Sequence, residues 1–132
     1  MTDSRLITKD LSDKLILLVD NDIELIRLLT PHLEGTFGCQ VQSYFELQEA
    51  HEAITGGLIY NLLLVDQEFN SGDGLRLAKQ SKEANPNIPV VVLSGYQNLK
   101  CEHADLILKK PTSFYREPIR SHIITLLTKG KL

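Results

Sequence analysis

The 132-residue sequence predicts a parallel α/β sheet wound with helices on both faces. Three observations predict it. Short runs that are apolar throughout, such as Leu15–Val19 and Leu62–Val65, suit strands covered on both sides rather than strands with one wet face. Segments with apolar residues at helical spacing separate those runs. Strand and helix alternate five times along the chain, which requires parallel strands joined by right-handed crossovers.

Each element follows in order. Residues 1–13 are polar without a period and read as an N-terminal arm, leaving 14–132 as one domain. Lys14–Val19 is the first strand, ended by Asp20-Asn21-Asp22. Ile23, Ile26, Leu28, Leu29 and Leu33 then fall at helical spacing, with Asp20, Asn21 or Asp22 as the cap. Pro31 should kink this helix or end its regular part. Cys39–Tyr44 is a second strand and Phe45–Ile54 a second helix, with Ser43 as its cap and Gly56-Gly57 as its break. Leu58–Val65 forms a third strand ending at Asp66, followed by the turn-rich stretch Gln67–Gly74. The third helix, Leu75–Ala84, stops at Asn85-Pro86-Asn87. Ile88–Leu93 is the fourth strand, ending at Ser94-Gly95. Asp105–Lys109 is the fifth, ending at Lys110-Pro111. Ser113–Lys129 is the last helix, with Ile119, Ile123, Ile124, Leu126 and Leu127 turned inward. Only Gly95–Ala104 separate the fourth and fifth strands, fewer than the roughly one dozen residues a parallel crossover needs. This shortened fourth crossover is predicted as a very short helix or an irregular loop.

Composition narrows the function. Apolar residues make up 42% of the chain, enough for a core, and the net charge of −3 argues against nucleic-acid partners and anionic membranes. The start shows no signal-peptide pattern and no apolar run exceeds strand length, so the expected location is cytoplasmic. Cys39 and Cys101 read as reduced, mostly buried thiols. His32, His51, His103 and His122 share no metal-ligand spacing, and no glycine-rich phosphate loop or nucleophile elbow occurs.

Four polar features fall at the carboxyl ends of predicted strands: Asp20-Asn21-Asp22, Asp66, Ser94 and Lys110. Open α/β sheets bind ligands there, at the point where strand order reverses. The doubly wound order 2-1-3-4-5 would set the first and third strands side by side, with Asp20 facing Asp66. Close carboxylate and amide oxygens suit Mg2+, which takes one or two carboxylates plus phosphate oxygens. A lysine adds a point charge for phosphate, and a serine hydroxyl can donate to a phosphoryl oxygen. Such parts can hold a phosphoryl group in line with a carboxylate nucleophile.

On these residues the chain resembles the receiver domain of two-component response regulators over almost all of 14–129. Leu15–Asp22 resembles the family's first strand and acidic cluster. Leu62–Asp66, with Asp73-Gly74 downstream, resembles the phosphoacceptor strand and loop. Pro89–Gly95 resembles the fourth strand with its hydroxyl residue, and Leu106–Pro111 resembles the lysine–proline element. The resemblance implies the flavodoxin-like fold and a phosphorelay signalling role. It implies that Asp66 accepts a phosphoryl group from a phosphohistidine on a histidine kinase or histidine phosphotransfer protein. Asp20, Asn21, Asp66 and the main-chain carbonyl of Glu68 would surround Mg2+, and Ser94 and Lys110 would bind the phosphoryl group. The domain would be a signalling module rather than an enzyme, with self-phosphorylation and self-dephosphorylation activity, passing its signal to a protein target that the residues do not name.

The sequence departs from the family at defined points. Asn21 stands where a second acid is usual, which predicts weaker Mg2+ binding. Asn70 stands in the loop where a proline is usual. Ile107 takes the place of a switching aromatic, beside the shortened crossover, on the face that normally carries partner binding or dimerisation; oligomeric state is left open. These departures keep a second reading in view, a phosphorylation-independent adaptor that binds a partner through the same fold. A phosphatase using an aspartyl intermediate would need an aspartate two residues after Asp66, where Glu68 stands. A calcium loop over Asp66–Leu77 fails at Ser71 and Leu77.

Overall fold

The computed structural model describes residues 10–69, 72–96 and 99–132. The first apolar run forms β1 (Leu15–Val19), and α1 (Ile23–Phe37) follows. Of the three candidate caps it is Asp22 that closes this helix, its carboxylate accepting from Leu25 N at 3.2 Å. Gly38 ends the helix in the left-handed conformation, φ 65°, where a side chain would be strained. Pro31 does not end α1. Its missing N–H costs one backbone bond, while Leu29, Leu33 and Phe37 are buried around it and hold the helix to the core.

Next come β2 (Gln40–Tyr44) and α2 (Leu47–Thr55). The predicted Ser43 cap is not made. Ser43 pairs with Leu18 inside the sheet, so the strand runs past it, and α2 starts after Glu46 with no side-chain cap. The third strand, β3, is shorter than predicted and spans Leu62–Asp66. After it, β4 (Glu68–Phe69) and β5 (Gly72–Asp73) pair antiparallel; Asn70 and Ser71 lie outside the described residues. Helix α3 (Gly74–Ala84) is capped by Asp73, whose carboxylate accepts from Leu75 N at 2.8 Å. Then come β6 (Val90–Ser94), β7 (Leu106–Lys109) and α4 (Ile119–Lys129). The last helix starts later than predicted because Pro118 sits at its cap, and the residue before a proline is pushed out of the α conformation. The bonds before Pro111 and Pro118 are both cis.

The large sheet has the order β2-β1-β3-β6-β7 with every pair parallel, the doubly wound arrangement expected, the β4–β5 pair standing apart from it. Every residue of β3 and β6 is buried, as a strand covered on both faces must be. Alternate residues divide the core. Ile16, Leu18, Leu62 and Leu64 pack with α1 and α4, while Leu17, Val19, Leu63 and Val65 pack with α2 and α3. Ile123, Leu126 and Leu127 of α4 are buried, and Ile119 and Ile124 lie against the same cluster. Leu11, from the predicted arm, is also in that core at 3% exposure. Cys39 is buried and Cys101 half-buried, both free, and burial pushes the Cys39 thiol up to about 11.

Between β6 and β7 the described residues form no helix. Leu99, Cys101 and Ala104 instead pack against the core on the α3 side of the sheet. A polar anchor fixes the return: Asp105 accepts from Val90 N at 2.8 Å and sits 2.8 Å from Lys82 Nζ, which also donates to Ile88 O at 3.1 Å. Removing Asp105 leaves a strand N–H and a half-buried ammonium without their partner. Asp105→Ala is expected to lower unfolding free energy by about 1–3 kcal/mol, with Asp105→Asn losing less because it keeps an acceptor for Val90. Urea unfolding of both variants measures this, and an alanine variant as stable as the parent would remove the anchor from the account.

Candidate functional site

The site is built where the strand order reverses. Val19 and Val65 are paired across β1 and β3, so the next residues, Asp20 and Asp66, stand side by side at the carboxyl ends of adjacent strands. The strands carry both carboxylates into the molecule, leaving Asp20 1% and Asp66 3% exposed. Lys110 comes from beyond β7, its backbone N donating to Ser94 O at 2.8 Å. Its Nζ lies 2.7 Å from Asp66 Oδ1, an ion pair at an angle that makes no hydrogen bond.

Asp20 is held differently. Its Oδ1 accepts from Asp22 N at 2.9 Å, while Oδ2 is buried without a hydrogen-bond partner. Burial raises its carboxyl to about 6; the Asp66 charge adds to the rise, and the Asp22 N–H and the Lys110 charge oppose it. An open cavity of about 360 Å3 lies over these groups, lined by Asp20, Asn21, Asp66, Glu68 and Lys110, with Leu25 and Phe69 at its apolar edge.

The cavity tests the expected Mg2+ set. Asp20 and Asp66 offer two carboxylates, one with an orphaned oxygen, and Asn21 adds an exposed amide at the rim. In the β4–β5 ladder, Gly74 N donates to Gln67 O at 2.7 Å, so the next pair, Glu68 opposite Asp73, falls at a non-hydrogen-bonded position. That alternation leaves the Glu68 carbonyl out of the ladder. Among the described residues no three of His, Cys, Asp and Glu gather into a metal-binding cluster. Two carboxylates with neutral oxygens are nonetheless the number a hard cation such as Mg2+ takes, so the donors fit it.

Ser94 is the predicted residue that is not turned into this cavity. It is fully buried at the end of β6, where its Oγ accepts from Tyr96 N at 3.0 Å and donates to Gln67 Oε1 at 2.7 Å. Ile107, at the position of the usual aromatic, is half-buried in β7 and packs on the α3-side core.

Two residues that shape the site were not singled out from the sequence. In the sequence Gln67 is only one residue of a turn-rich stretch. Gly74 was noted as part of an Asp-Gly pair, and its reason is steric: a Cβ there would overlap the Asp66 carbonyl oxygen and lie 3.1 Å from Val65 Cγ2. The first turn of α3 therefore presses directly on the strand end that carries Asp66. Gly95, by contrast, has only Glu68 Oε1 at 3.7 Å, room for a methyl group.

The family model of the response regulator receiver domain matches residues 16–113. The chain belongs to the response regulator receiver domain family. The solved structure of the response regulator TrrA of Thermotoga maritima, in complex with Mg2+ and BeF, is similar at TM-score 0.75 and 23% identity, covering 86% of this chain and 98% of that one. A CheY-like receiver domain protein from Methanospirillum hungatei is similar at TM-score 0.74 and 24% identity, covering 90% and 97%. A receiver domain protein from Clostridium thermocellum gives TM-score 0.75 at 20% identity, covering 86% and 93%. These likenesses establish the flavodoxin-like receiver fold. No curated protein matches the sequence.

Two expectations follow from the packing of this receiver site. Gly74→Ala should destabilise the domain by about 1–3 kcal/mol, because the overlap falls on backbone that cannot swing away, whereas Gly95→Ala should be nearly neutral. Paired urea titrations check the contrast, and equal stability of the two variants would contradict it. The second concerns pH. The Asp20 pKa is raised in the folded state, so the folded protein binds more protons between its ordinary value of 3.8 and about 6. Stability from this group is present at the acid end of that window and is lost as pH rises through it. In metal-free buffer Asp20→Asn should therefore raise stability above pH 6 by about 1–2 kcal/mol, allowing for solvent at the cavity mouth, and flatten the pH dependence between 4 and 6. Unfolding curves across that range read out the slope; an unchanged slope would rule out Asp20 as its source.

Proposed function

We infer that the chain is a phosphoryl-accepting receiver of a phosphorelay, with Asp66 as the acceptor. One observation carries this reading: the buried Asp66 carboxylate stands 2.7 Å from Lys110 Nζ at the floor of an open cavity, beside a second buried carboxylate with an unpartnered oxygen. An ion pair needed only for stability gains nothing from a neighbouring like charge, which raises the cost of burial. A site for a doubly charged cation and a phosphoryl group does gain from it.

In the proposed reaction an Asp66 carboxylate oxygen attacks the phosphorus of a phosphohistidine on a histidine kinase or phosphotransfer protein. The O–P bond forms as the P–N bond breaks, and the imidazole leaves with the electron pair. Lys110 moves its charge from the Asp66 carboxylate to a phosphoryl oxygen and so stabilises the product. Asp20, Asn21, Asp66 and the Glu68 carbonyl would hold Mg2+, which supplies neutralisation of the phosphoryl charge. Because Asn21 lacks the charge of a second acid, a higher Mg2+ concentration is needed. The chain acts as a signalling module, able to phosphorylate itself from small donors, rather than as a turnover enzyme. Among the described residues no helix is long and apolar enough to cross a membrane, and the proposed partners meet the domain in the cytoplasm.

Incubation with acetyl phosphate or phosphoramidate and millimolar Mg2+, read by intact mass, is expected to add one phosphoryl group. Asp66→Asn should abolish the adduct, and Lys110→Met should reduce it about tenfold or more. No adduct from either donor, together with no binding of beryllofluoride, would overturn the reading and leave the constitutive adaptor.

A further inference from the structure

We propose that Gln67 is a positioning residue that latches Ser94 away from the phosphoryl site, so that loading Asp66 must first exchange the Ser94 hydroxyl from Gln67 to a phosphoryl oxygen. The proposal rests on Asp66 being the acceptor and goes beyond that reading by assigning the resistance to loading to a residue outside the charged set.

The geometry of Ser94 supports the latch. Its Oγ accepts from Tyr96 N at 3.0 Å, so its proton is free to point elsewhere, and it points to Gln67 Oε1 at 2.7 Å. A well-formed neutral hydrogen bond, on a fully buried serine, holds one rotamer in preference to the others. The backbone of Ser94 is fixed by its β6 neighbours and by Lys110 N, which donates to Ser94 O at 2.8 Å. Only the side-chain torsions, about Cα–Cβ and Cβ–Oγ, can therefore redirect the hydroxyl.

Gln67 is equally well anchored. Its N donates to Leu93 O at 2.9 Å, and its carbonyl accepts from Gly74 N at 2.7 Å. One bond ties it to β6 and the other to the start of α3, so the acceptor oxygen springs from a backbone that does not drift. Ser94 is thus held by a neighbour of the acceptor aspartate itself, one residue beyond Asp66. Occupation of the site by a phosphoryl group offers the hydroxyl a charged acceptor, which makes the stronger bond and drives the exchange. The cost of releasing Gln67 is subtracted from phosphoryl affinity. Both are small, so the latch tunes the loaded fraction rather than forbidding loading.

A double-mutant cycle tests this, using Gln67→Leu, Ser94→Ala, and the two combined, with the parent protein. Leucine keeps the volume and removes the acceptor. The readout is the beryllofluoride concentration that gives half the maximal rise in melting temperature at fixed Mg2+. Gln67→Leu is expected to lower that concentration roughly fivefold when Ser94 is present, the worth of one neutral hydrogen bond. In the Ser94→Ala background the same change should have no effect, because no hydroxyl remains to release. Gln67→Ala gives the same readout if the leucine variant does not fold. An equal shift in both backgrounds, or no shift with Ser94 present, overturns the latch and leaves Asp66 as acceptor. No binding by any of the proteins overturns the acceptor reading, and the latch with it.

Discussion

Two carboxylates end neighbouring strands, and both are buried. Val19 paired with Val65 forces this, because the residues that follow in β1 and β3 must emerge together. Burial exacts a desolvation cost, and like charges so placed add repulsion, which is why the Asp20 carboxyl rises to about 6. Lys110 answers part of that cost at 2.7 Å from Asp66. One oxygen of Asp20 remains without a partner. A charge arrangement that is incomplete in the bare chain is the condition a cation and a phosphoryl group can satisfy.

The surrounding structure serves to hold that arrangement. Strands β3 and β6 are buried along their whole length, so their ends cannot shift without disturbing the core. Gly74 lets α3 approach the Asp66 backbone to a distance no side chain would permit. The return from β6 to β7, made here without a helix among the described residues, is tied down by Asp105 and Lys82. That tie matters to the site because β7 delivers Lys110. A short irregular connection would otherwise leave the cation on a loosely placed strand.

The altered face at β7 also bears on how a signal leaves the domain. Ile107 cannot act as a polar-tipped aromatic that exchanges between buried and exposed positions. The hydroxyl that would respond to the phosphoryl group is tied to Gln67 and to the backbone of Tyr96, an exposed residue. On the proposed reading, communication from the site would start at the junction of β6 and its short connection, where these hydrogen bonds lie.

Much of this was legible in the residues alone. Runs such as Leu62–Val65 are apolar on both faces, and a strand of that kind has to be sandwiched between helices. The parallel sheet and its inward-facing α4 residues follow from that periodicity, and the order 2-1-3-4-5 is that of a doubly wound sheet. Asp20, Asp66 and Lys110 were legible because polar groups directly after such strands can only lie at the rim of the sheet. Local chemistry misled at Ser43, where strand pairing outweighed capping, and Pro31 lies inside α1 without ending it. What only tertiary structure decided was contact between residues distant in sequence. Ser94 meets Gln67, and Gly74 meets the Asp66 carbonyl, through the packing of β3, β6 and α3. Periodicity records which face a residue takes, but it holds no record of which partner waits there, and hydrogen-bond direction and steric fit are set only when the elements close on one another.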